Sequence, residues 1–293
     1  MRVSVIIVNW NAGAALEACL ASVTAEAGPG REIVVVDNGS SDGSIAATRA
    51  RHPSVRLIET GTNLGFAGGA DRGAAETHGE VLLFLNPDAC VFPGAIGVLV
   101  DALLSTPGAG IAGGGLVDER GRWQPGWARF DPLAHLLLDT TPGRLAARRR
   151  RTPHAVDWVY GTFMAVRRDL FRQLGGFDTR FFLYGEDLDL CWRAARLGAR
   201  TIHVPAARAV HGPSVSAVQR FGTARAAEVV KGEMRFYAAR AAPGALRLFR
   251  TVAACKFGLK TALATVAGRP AAAAAYGRVV RACLVFDPRR AAA

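Results

Sequence analysis

The fold of this chain is decided by residues 81–88, which read VLLFLNPD. Five apolar residues with no polar break, followed by a turn signal, predict a β-strand that is buried on both faces. The strand must end before Pro87, because proline has no amide hydrogen to donate to a sheet. Asn86 and Asp88 are therefore expected at the carboxyl end of a central strand, the edge where open α/β sheets bind ligands. The tripeptide is compatible both with a simple polar turn and with a carboxylate that holds a divalent cation against phosphates.

Strands and helices alternate in the residues that precede this stretch. Strands are predicted at 3–8, 32–36 and 55–58, and helices at about 14–25, after Asp42 and at about 70–77. Ser41 or Asp42 can cap the second of these helices. Four alternations within about 90 residues predict an α/β fold with a doubly wound, mostly parallel sheet flanked by helices.

Polar side chains follow three of the predicted strands. Asn9 follows the first strand, Asp37 the second, and Asn86 and Asp88 the fourth. Because the carboxyl ends of parallel strands meet at one edge, we expect these side chains to face a single crevice. Their convergence favours a nucleotide site over a chance arrangement.

A second group of acidic residues opens a predicted helix at 186–197, which Gly198 ends. Glu186, Asp187 and Asp189 suit the first turn of a helix, where carboxylates are stabilised by the free amides. Asp187 lies one turn before Leu190 and is predicted on the buried face. A buried carboxylate needs a partner or a function, and one beside a pocket can take a proton from an attacking hydroxyl.

The bulk composition indicates a globular protein of 293 residues, with 50% hydrophobic and 20% charged residues. This length allows one large core, or one domain with a smaller appendage. The five cysteines are scattered without metal-type spacing, which favours reduced thiols and a cytosolic setting. We expect no signal peptide, and no stretch reaches the roughly 18 apolar residues of a membrane span.

The net charge of +12 is concentrated in the tail, where 14 Lys and Arg face three acidic residues from Arg220 onward. Residues 223–283 are predicted to form Ala-rich helices broken at Pro243 and Pro270. A basic amphipathic helix can bind an anionic membrane surface, and packing against the rest of the chain or a second subunit is an equal alternative. Nucleic acid is not expected as a partner, because aromatic residues are few and no nucleic-acid motif is present.

The middle of the chain has a weaker pattern. Residues 117–156 are predicted to be an irregular segment, either a solvated linker or a flap over the site. A strand at 158–166 and a short helix at 168–174 are predicted to follow.

The chain resembles the family 2 glycosyltransferases of the GT-A fold, and within them the bacterial rhamnosyltransferase-like branch. The resemblance rests on five motifs in the family order: VIIVNWN (5–11), DNGSSDG (37–43), NLGFAGG (63–69), NPD (86–88), and GGFD (175–178) through EDLDL (186–190). Together they span roughly residues 1–213.

The resemblance implies a nucleotide-sugar donor. Asp37 resembles the carboxylate that accepts from the imide N–H of uracil or thymine, which implies a pyrimidine nucleotide. Asn9, Asn63, Gly65 and Asn86 are implied to shape or contact the donor site.

The resemblance also implies a metal ion and a catalytic base. NPD occupies the place of the family's metal motif, with Asn86 in place of its first carboxylate, so Asp88 is implied to bind Mg2+ or Mn2+. His211 matches a downstream histidine that can complete the metal shell. Asp187 occupies the position of the catalytic base, and Glu186 is the less suitable neighbour.

The function implied is that of an inverting, metal-assisted hexosyltransferase. It would move a sugar, rhamnose by branch resemblance, to a glycan or polyprenyl-linked acceptor in cell-envelope polysaccharide synthesis. A catalytic domain is expected at 1–215 and a basic helical extension at 216–293. The protein is expected to lie on the inner face of the cytoplasmic membrane, and a homo-oligomer is compatible with the resemblance. The alternative is a non-catalytic nucleotide-sugar-binding or scaffold protein. It is suggested by Asn86 in place of a metal-motif carboxylate and by Ala70 and Asp71, which stand where relatives often carry two asparagines.

Overall fold

A computed structural model describes residues 2–26, 28, 30–138, 148–212, 221–242 and 244–288. Its strands are β1 (Val3–Asn9), β2 (Arg31–Asp37), β3 (Arg56–Glu59), β4 (Val81–Leu85), β5 (Ala89–Val91), β6 (Ala109–Val117), β7 (Trp123–Gln124), β8 (Trp127–Ala128), β9 (His154–Val156), β10 (Trp158–Val159), β11 (Phe163–Arg167) and β12 (Arg200–His211). Its α-helices are α1 (Ala14–Thr24), α2 (Ser44–Arg51), α3 (Gly65–Ala75), α4 (Ala95–Ser105), α5 (Pro132–Leu138), α6 (Arg168–Gln173), α7 (Glu186–Arg196), α8 (Arg225–Arg240), α9 (Ala245–Val266) and α10 (Pro270–Val285).

Ten of these strands form one mixed sheet with the order β3-β2-β1-β4-β11-β6-β12-β5, to which β7 and β9 are added at the side. β1 runs parallel to β2 and β4, and β12 runs parallel to β6. β11 is antiparallel to both of its neighbours, β4 and β6. The prediction of a mostly parallel sheet flanked by helices is confirmed.

Strand β4 lies in the middle of the sheet and is fully buried. Its side chains alternate, so that Leu82 and Phe84 join one hydrophobic cluster and Val81, Leu83 and Leu85 join another. The unbroken apolar run at 81–85 therefore forms a strand with a hydrophobic core on each face, as predicted from the sequence.

Three features differ from the sequence prediction. Helix α3 begins at Gly65 rather than near residue 70, and the single strand predicted at 158–166 is divided into β10 and β11. β10 pairs with β8 in a separate two-stranded sheet. The segment 117–156 contains three short strands and a helix in its described part, while residues 139–147 lie outside the described residues.

The tail forms helices α8, α9 and α10, and Pro270 begins α10 as predicted. Pro243 and the expected domain boundary at 215/216 lie outside the described residues. Helix α8 packs on the rest of the chain: its Phe236 is buried, and Arg240 donates to both Asp189 Oδ1 and Asp178 Oδ2 at 2.8 Å. Within the described ranges, no helix combines the length and the apolar character that crossing a membrane requires.

Candidate active site

A cavity of about 380 Å³ lies at the carboxyl edge of the sheet. Its wall is built from residues after β1 and β4, the loop before α7, the first turn of α7, the end of β12 and one face of α8. The predicted site residues that line it are Asn63, Gly65, Asn86, Asp88, Asp187 and His211.

Asn9 and Asp37 do not line this cavity but lie directly behind its wall. The two residues are partners in the β1–β2 register, and Asn9 Nδ2 donates to Asp37 Oδ1 at 3.1 Å. Asn9 Nδ2 also lies 3.0 Å from the hydroxyls of Ser40 and Ser44, and Asp37 Oδ2 accepts from the Ser40 amide at 3.0 Å. Both side chains therefore shape the loop after β2, and the neighbouring Asn38 reaches the cavity.

The loop before α3 is joined to the loop before α7. Asn63 Oδ1 accepts from the Gly65 amide at 2.9 Å, and the Phe66 amide donates to the Phe182 carbonyl at 3.0 Å. Gly65 has φ +74°, and a Cβ at this position would overlap the Phe182 carbonyl oxygen. Only glycine allows the two loops to approach this closely.

Asp88 and His211 meet because β5 pairs with β12, which places His211 opposite Ala89. His211 Nε2 lies 3.6 Å from Asp88 Oδ1. The other imidazole nitrogen, Nδ1, lies 3.4 Å from the side-chain oxygen of Gln124, which favours the tautomer with hydrogen on Nδ1. Nε2 is buried and has no hydrogen-bond partner within the described structure.

The environment keeps this imidazole neutral. Burial lowers the pKa of His211, Asp88 opposes this shift, and the positive charge of Arg225 adds to it. A neutral imidazole with a free lone pair beside a carboxylate fits the donor set of a divalent cation. The described residues hold no group of three or more His, Cys, Asp or Glu side chains suited to a metal. Phosphate oxygens and water would therefore complete the shell, as is usual for Mg2+.

The three acidic residues at the start of α7 lie in different environments. Asp187 lines the cavity, and its two carboxylate oxygens accept from the amides of Gly161 at 2.9 Å and Leu188 at 2.7 Å. Burial raises the pKa of Asp187 to about 6 against the opposing effect of these hydrogen bonds, and Glu233 raises it further. A carboxyl with this pKa suits general-base catalysis near neutral pH.

The two neighbours of Asp187 are less suited to that role. Burial and the adjacent Asp187 raise the pKa of Glu186 well above its ordinary value, which favours a protonated carboxyl. Asp189 is fully buried and accepts from Arg193 at 2.6 Å and Arg240 at 2.8 Å, so it anchors α7 to α8.

The sequence analysis missed the contribution of the tail to the cavity. Arg225, Val229 and Glu233 line it at helical spacing on one face of α8. Arg225 Nε donates to the Tyr184 hydroxyl at 3.3 Å. The i, i+4, i+8 spacing was visible in the sequence, but nothing in it indicated where the helix docks.

The family model "Glycosyl transferase family 2" matches residues 4–175. An N-acetylglucosaminyl-diphospho-decaprenol L-rhamnosyltransferase of Mycobacterium tuberculosis is 34% identical over 229 residues, which cover 71% of this chain and 75% of that protein. The rhamnosyltransferase WbbL of Escherichia coli is 48% identical over 56 residues, 19% of this chain and 21% of that protein.

Two solved structures share the fold. The mannosyltransferase PcManGT of Pyrobaculum calidifontis, in complex with GDP-Man and Mn2+, matches 97% of this chain and 86% of its own with a TM-score of 0.60 and 20% identity. GalNAc-T7 with UDP, GalNAc and Mn2+ matches 81% of this chain with a TM-score of 0.61 and 18% identity, and the match spans 47% of its own length. The fold is thus the GT-A fold, as predicted.

Proposed function

We propose that this chain, which belongs to glycosyl transferase family 2, transfers rhamnose from a pyrimidine-nucleotide diphosphate sugar to a lipid-linked glycan acceptor in cell-envelope polysaccharide synthesis. The observation that carries the proposal is the position of Asp187 in the same cavity as Asp88 and His211. The choice of rhamnose is supported by the names of the similar proteins from M. tuberculosis and E. coli, and the choice of a lipid-linked acceptor by the name of the M. tuberculosis protein.

In the proposed reaction, Asp187 takes the proton from the acceptor hydroxyl. The acceptor oxygen forms a bond to the anomeric carbon from the face opposite the nucleotide. The bond between that carbon and the diphosphate oxygen breaks, and its electron pair goes to this oxygen. Inversion at the anomeric carbon follows from attack on the opposite face. The amides of Gly161 and Leu188 orient the Asp187 carboxylate throughout.

Asp88 and His211 are the residues that would hold Mg2+ or Mn2+ in this proposal. A bound divalent cation would neutralise the charge of the departing diphosphate. Arg225 would place a second positive charge near the departing diphosphate, because it lines the cavity and acts electrostatically on His211.

The donor base is assigned to the Asp37 side of the site. Asp37 accepts two hydrogen bonds, from Asn9 and from the Ser40 amide, and a carboxylate offers about four lone-pair positions. Because Asp37 lies behind the cavity wall, the base would have to enter beside Asn38, which lines the cavity, for its imide N–H to reach the remaining positions. Asn63, Gly65 and Asn86 would contact the donor from the cavity wall.

The tail is proposed to bind the anionic inner face of the cytoplasmic membrane. Leu259, Leu263 and Val266 follow one another at helical spacing on α9 and are 63%, 60% and 88% exposed. Lys256 and Lys260 belong to the same part of this helix. Exposed apolar side chains bordered by lysines suit an anionic lipid surface, where a lipid-linked acceptor would be delivered.

The decisive experiment is a transfer assay with the purified full-length chain. A panel of nucleotide sugars that includes thymidine diphosphate rhamnose would be tested with and without Mn2+, against a short-chain lipid-diphosphate N-acetylglucosamine acceptor. We expect transfer from a pyrimidine donor with inversion, read from the anomeric configuration of the product. Nucleotide-sugar binding without transfer or donor hydrolysis would instead support the non-catalytic alternative.

A further inference from the structure

We propose that Glu233, held in place by His135, is the residue that binds the acceptor sugar. This inference rests on the proposed function, because it names the acceptor side of the same site. Glu233 lines the cavity together with Asp187, and it comes from helix α8 of the tail rather than from the sheet.

Among the described residues, one side chain, the largely buried His135, forms a hydrogen bond with the Glu233 carboxylate. His135 Nε2 lies 3.1 Å from Glu233 Oε1, and both side chains are 12% exposed. His135 Nδ1 is buried with no hydrogen-bond partner among the described residues. The imidazole ring contacts Trp158 and Phe249, with ring centroids 5.8 Å and 6.2 Å away, respectively. His135 therefore acts on the cavity through Glu233, by holding one carboxylate oxygen and leaving the other for a ligand.

An aromatic surface lies next to this carboxylate. Trp158 and Tyr160 both line the cavity, and their ring centroids are 4.9 Å apart. Binding sites of this kind combine apolar or aromatic walls with a few polar groups that fix the ligand's orientation. The apolar face of a sugar ring would pack on these rings while one of its hydroxyl or amide hydrogens reaches Glu233.

The position of Glu233 along α8 separates it from the donor diphosphate. Arg225 and Glu233 lie eight residues apart on the same helix face, which is about 12 Å along the axis. Arg225 lies at the His211 end of the cavity. A carboxylate is unfavourable beside a diphosphate but can accept hydrogen bonds from sugar hydroxyls, so the Glu233 end is assigned to the part of the acceptor sugar that lies away from its own diphosphate.

Glu233 also acts on the base. Its negative charge adds to the effect of burial in raising the pKa of Asp187. The titratable groups that interact with Glu233 are Asp187 of α7, His135 of α5, Tyr237 of α8 and Cys283 of α10. Removing the charge of Glu233 should therefore make Asp187 easier to ionise.

The test compares Glu233→Gln with Glu228→Gln in the full-length chain. Glu228 lies on the same helix, pairs with Lys231 and does not line the cavity, so it is a matched control. Calorimetry would measure binding of a short-chain lipid-diphosphate N-acetylglucosamine and, separately, of thymidine diphosphate with Mn2+. We expect Glu233→Gln to weaken acceptor binding about 10- to 100-fold, the usual effect of one hydrogen bond to a charged group. Nucleotide binding should stay unchanged, and Glu228→Gln should change neither.

Two further measurements separate recognition from folding. His135→Ala should weaken acceptor binding, and His135→Gln should restore part of it, because an amide can still donate to Glu233. In kinetics, Glu233→Gln should raise the acceptor KM and shift the acidic limb of kcat/KM to lower pH, with the donor KM unchanged.

Unchanged acceptor binding in Glu233→Gln, or an equal loss of nucleotide binding, would overturn the inference. If the wild type binds the acceptor but transfers nothing, the proposed function fails and the binding comparison alone decides the role of Glu233. If the wild type does not bind the acceptor, the inference is wrong.

Discussion

His211 Nε2 lies 3.6 Å from Asp88 Oδ1, with its lone pair free of any hydrogen bond within the described structure. The pairing of β5 with β12 creates this contact between two residues that are distant in sequence. The arrangement supplies one carboxylate and one imidazole, to which the oxygens of a diphosphate and water would be added around a cation.

The first prediction concerns metal dependence. Asp88→Asn and His211→Ala should each raise the Mn2+ concentration for half-maximal binding of thymidine diphosphate by at least about tenfold. Gln124→Ala should have a smaller effect, since Gln124 only orients the imidazole through Nδ1. Titration calorimetry in buffers of fixed free metal would measure the series. Nucleotide binding that is as tight in EDTA as in Mn2+ would contradict the assignment.

The second prediction separates Asp187 from its neighbour Asp189. Asp187→Asn should lower kcat by about 10²- to 10⁴-fold, the usual contribution of a general base, and leave nucleotide affinity nearly unchanged. Asp189→Asn should instead lower the free energy of unfolding, by about 3–5 kcal/mol, because a fully buried carboxylate that two arginines share is lost. Single-turnover kinetics and urea unfolding would distinguish the two variants. Loss of nucleotide binding together with activity in Asp187→Asn would indicate a role in folding.

The third prediction follows from the raised pKa of Asp187. Because the base must be ionised, kcat/KM should rise with pH and level off above about 6. Stability should change in the opposite direction: between 3.8 and about 6 the native carboxyl keeps its proton while the unfolded one loses it. The unfolding free energy of the wild type, relative to Asp187→Asn, should therefore fall as pH rises through this window.

Rate profiles and urea titrations at matched pH values would measure the two effects. An acidic limb of kcat/KM centred near 4 would show that the base is not the half-buried Asp187.

The fourth prediction tests the contact between the loops before α3 and α7. Gly61 and Gly65 both have positive φ, but a Cβ at Gly61 would meet nothing within 4 Å, whereas one at Gly65 would overlap the Phe182 carbonyl. Gly61→Ala should cost about 1–2 kcal/mol of unfolding free energy through backbone strain alone. Gly65→Ala should cost clearly more and weaken nucleotide binding, because the loops must separate. Equal losses of stability would mean that Phe182 moves away freely.

The first half of the fold could be predicted from the sequence because it depends on local signals. Buried strands with apolar runs, such as 81–85, and polar residues at their carboxyl ends produce the sheet edge that holds Asn86 and Asp88. The family motifs then indicated Asp187, which the structure places in the same cavity.

The second half depends on contacts that have no local signal. β6 contains three consecutive glycines, which weaken any strand prediction. They are needed because Val159 and Phe163 occupy the space that side chains at Gly113 and Gly114 would fill. Helix α8 shows a clear spacing of Arg225, Val229 and Glu233, but its docking surface is set by partly buried ion pairs with residues far along the chain. The tail therefore could be predicted as helical, and its place beside the cavity could not.

Helix α8 of the tail forms one wall of the cavity, and this has a consequence for protein engineering. In a chimera that keeps the sheet and receives the last helices of a homologue, the residues on the α8 side of the cavity would be replaced. The Asn86–Asp88 side of the cavity would stay unchanged. Arg240 of this helix pairs with Asp178 and Asp189, so these two aspartates would have to be transplanted together with the helix. Acceptor preference would then be a property that recombination of modules can exchange, independently of the donor.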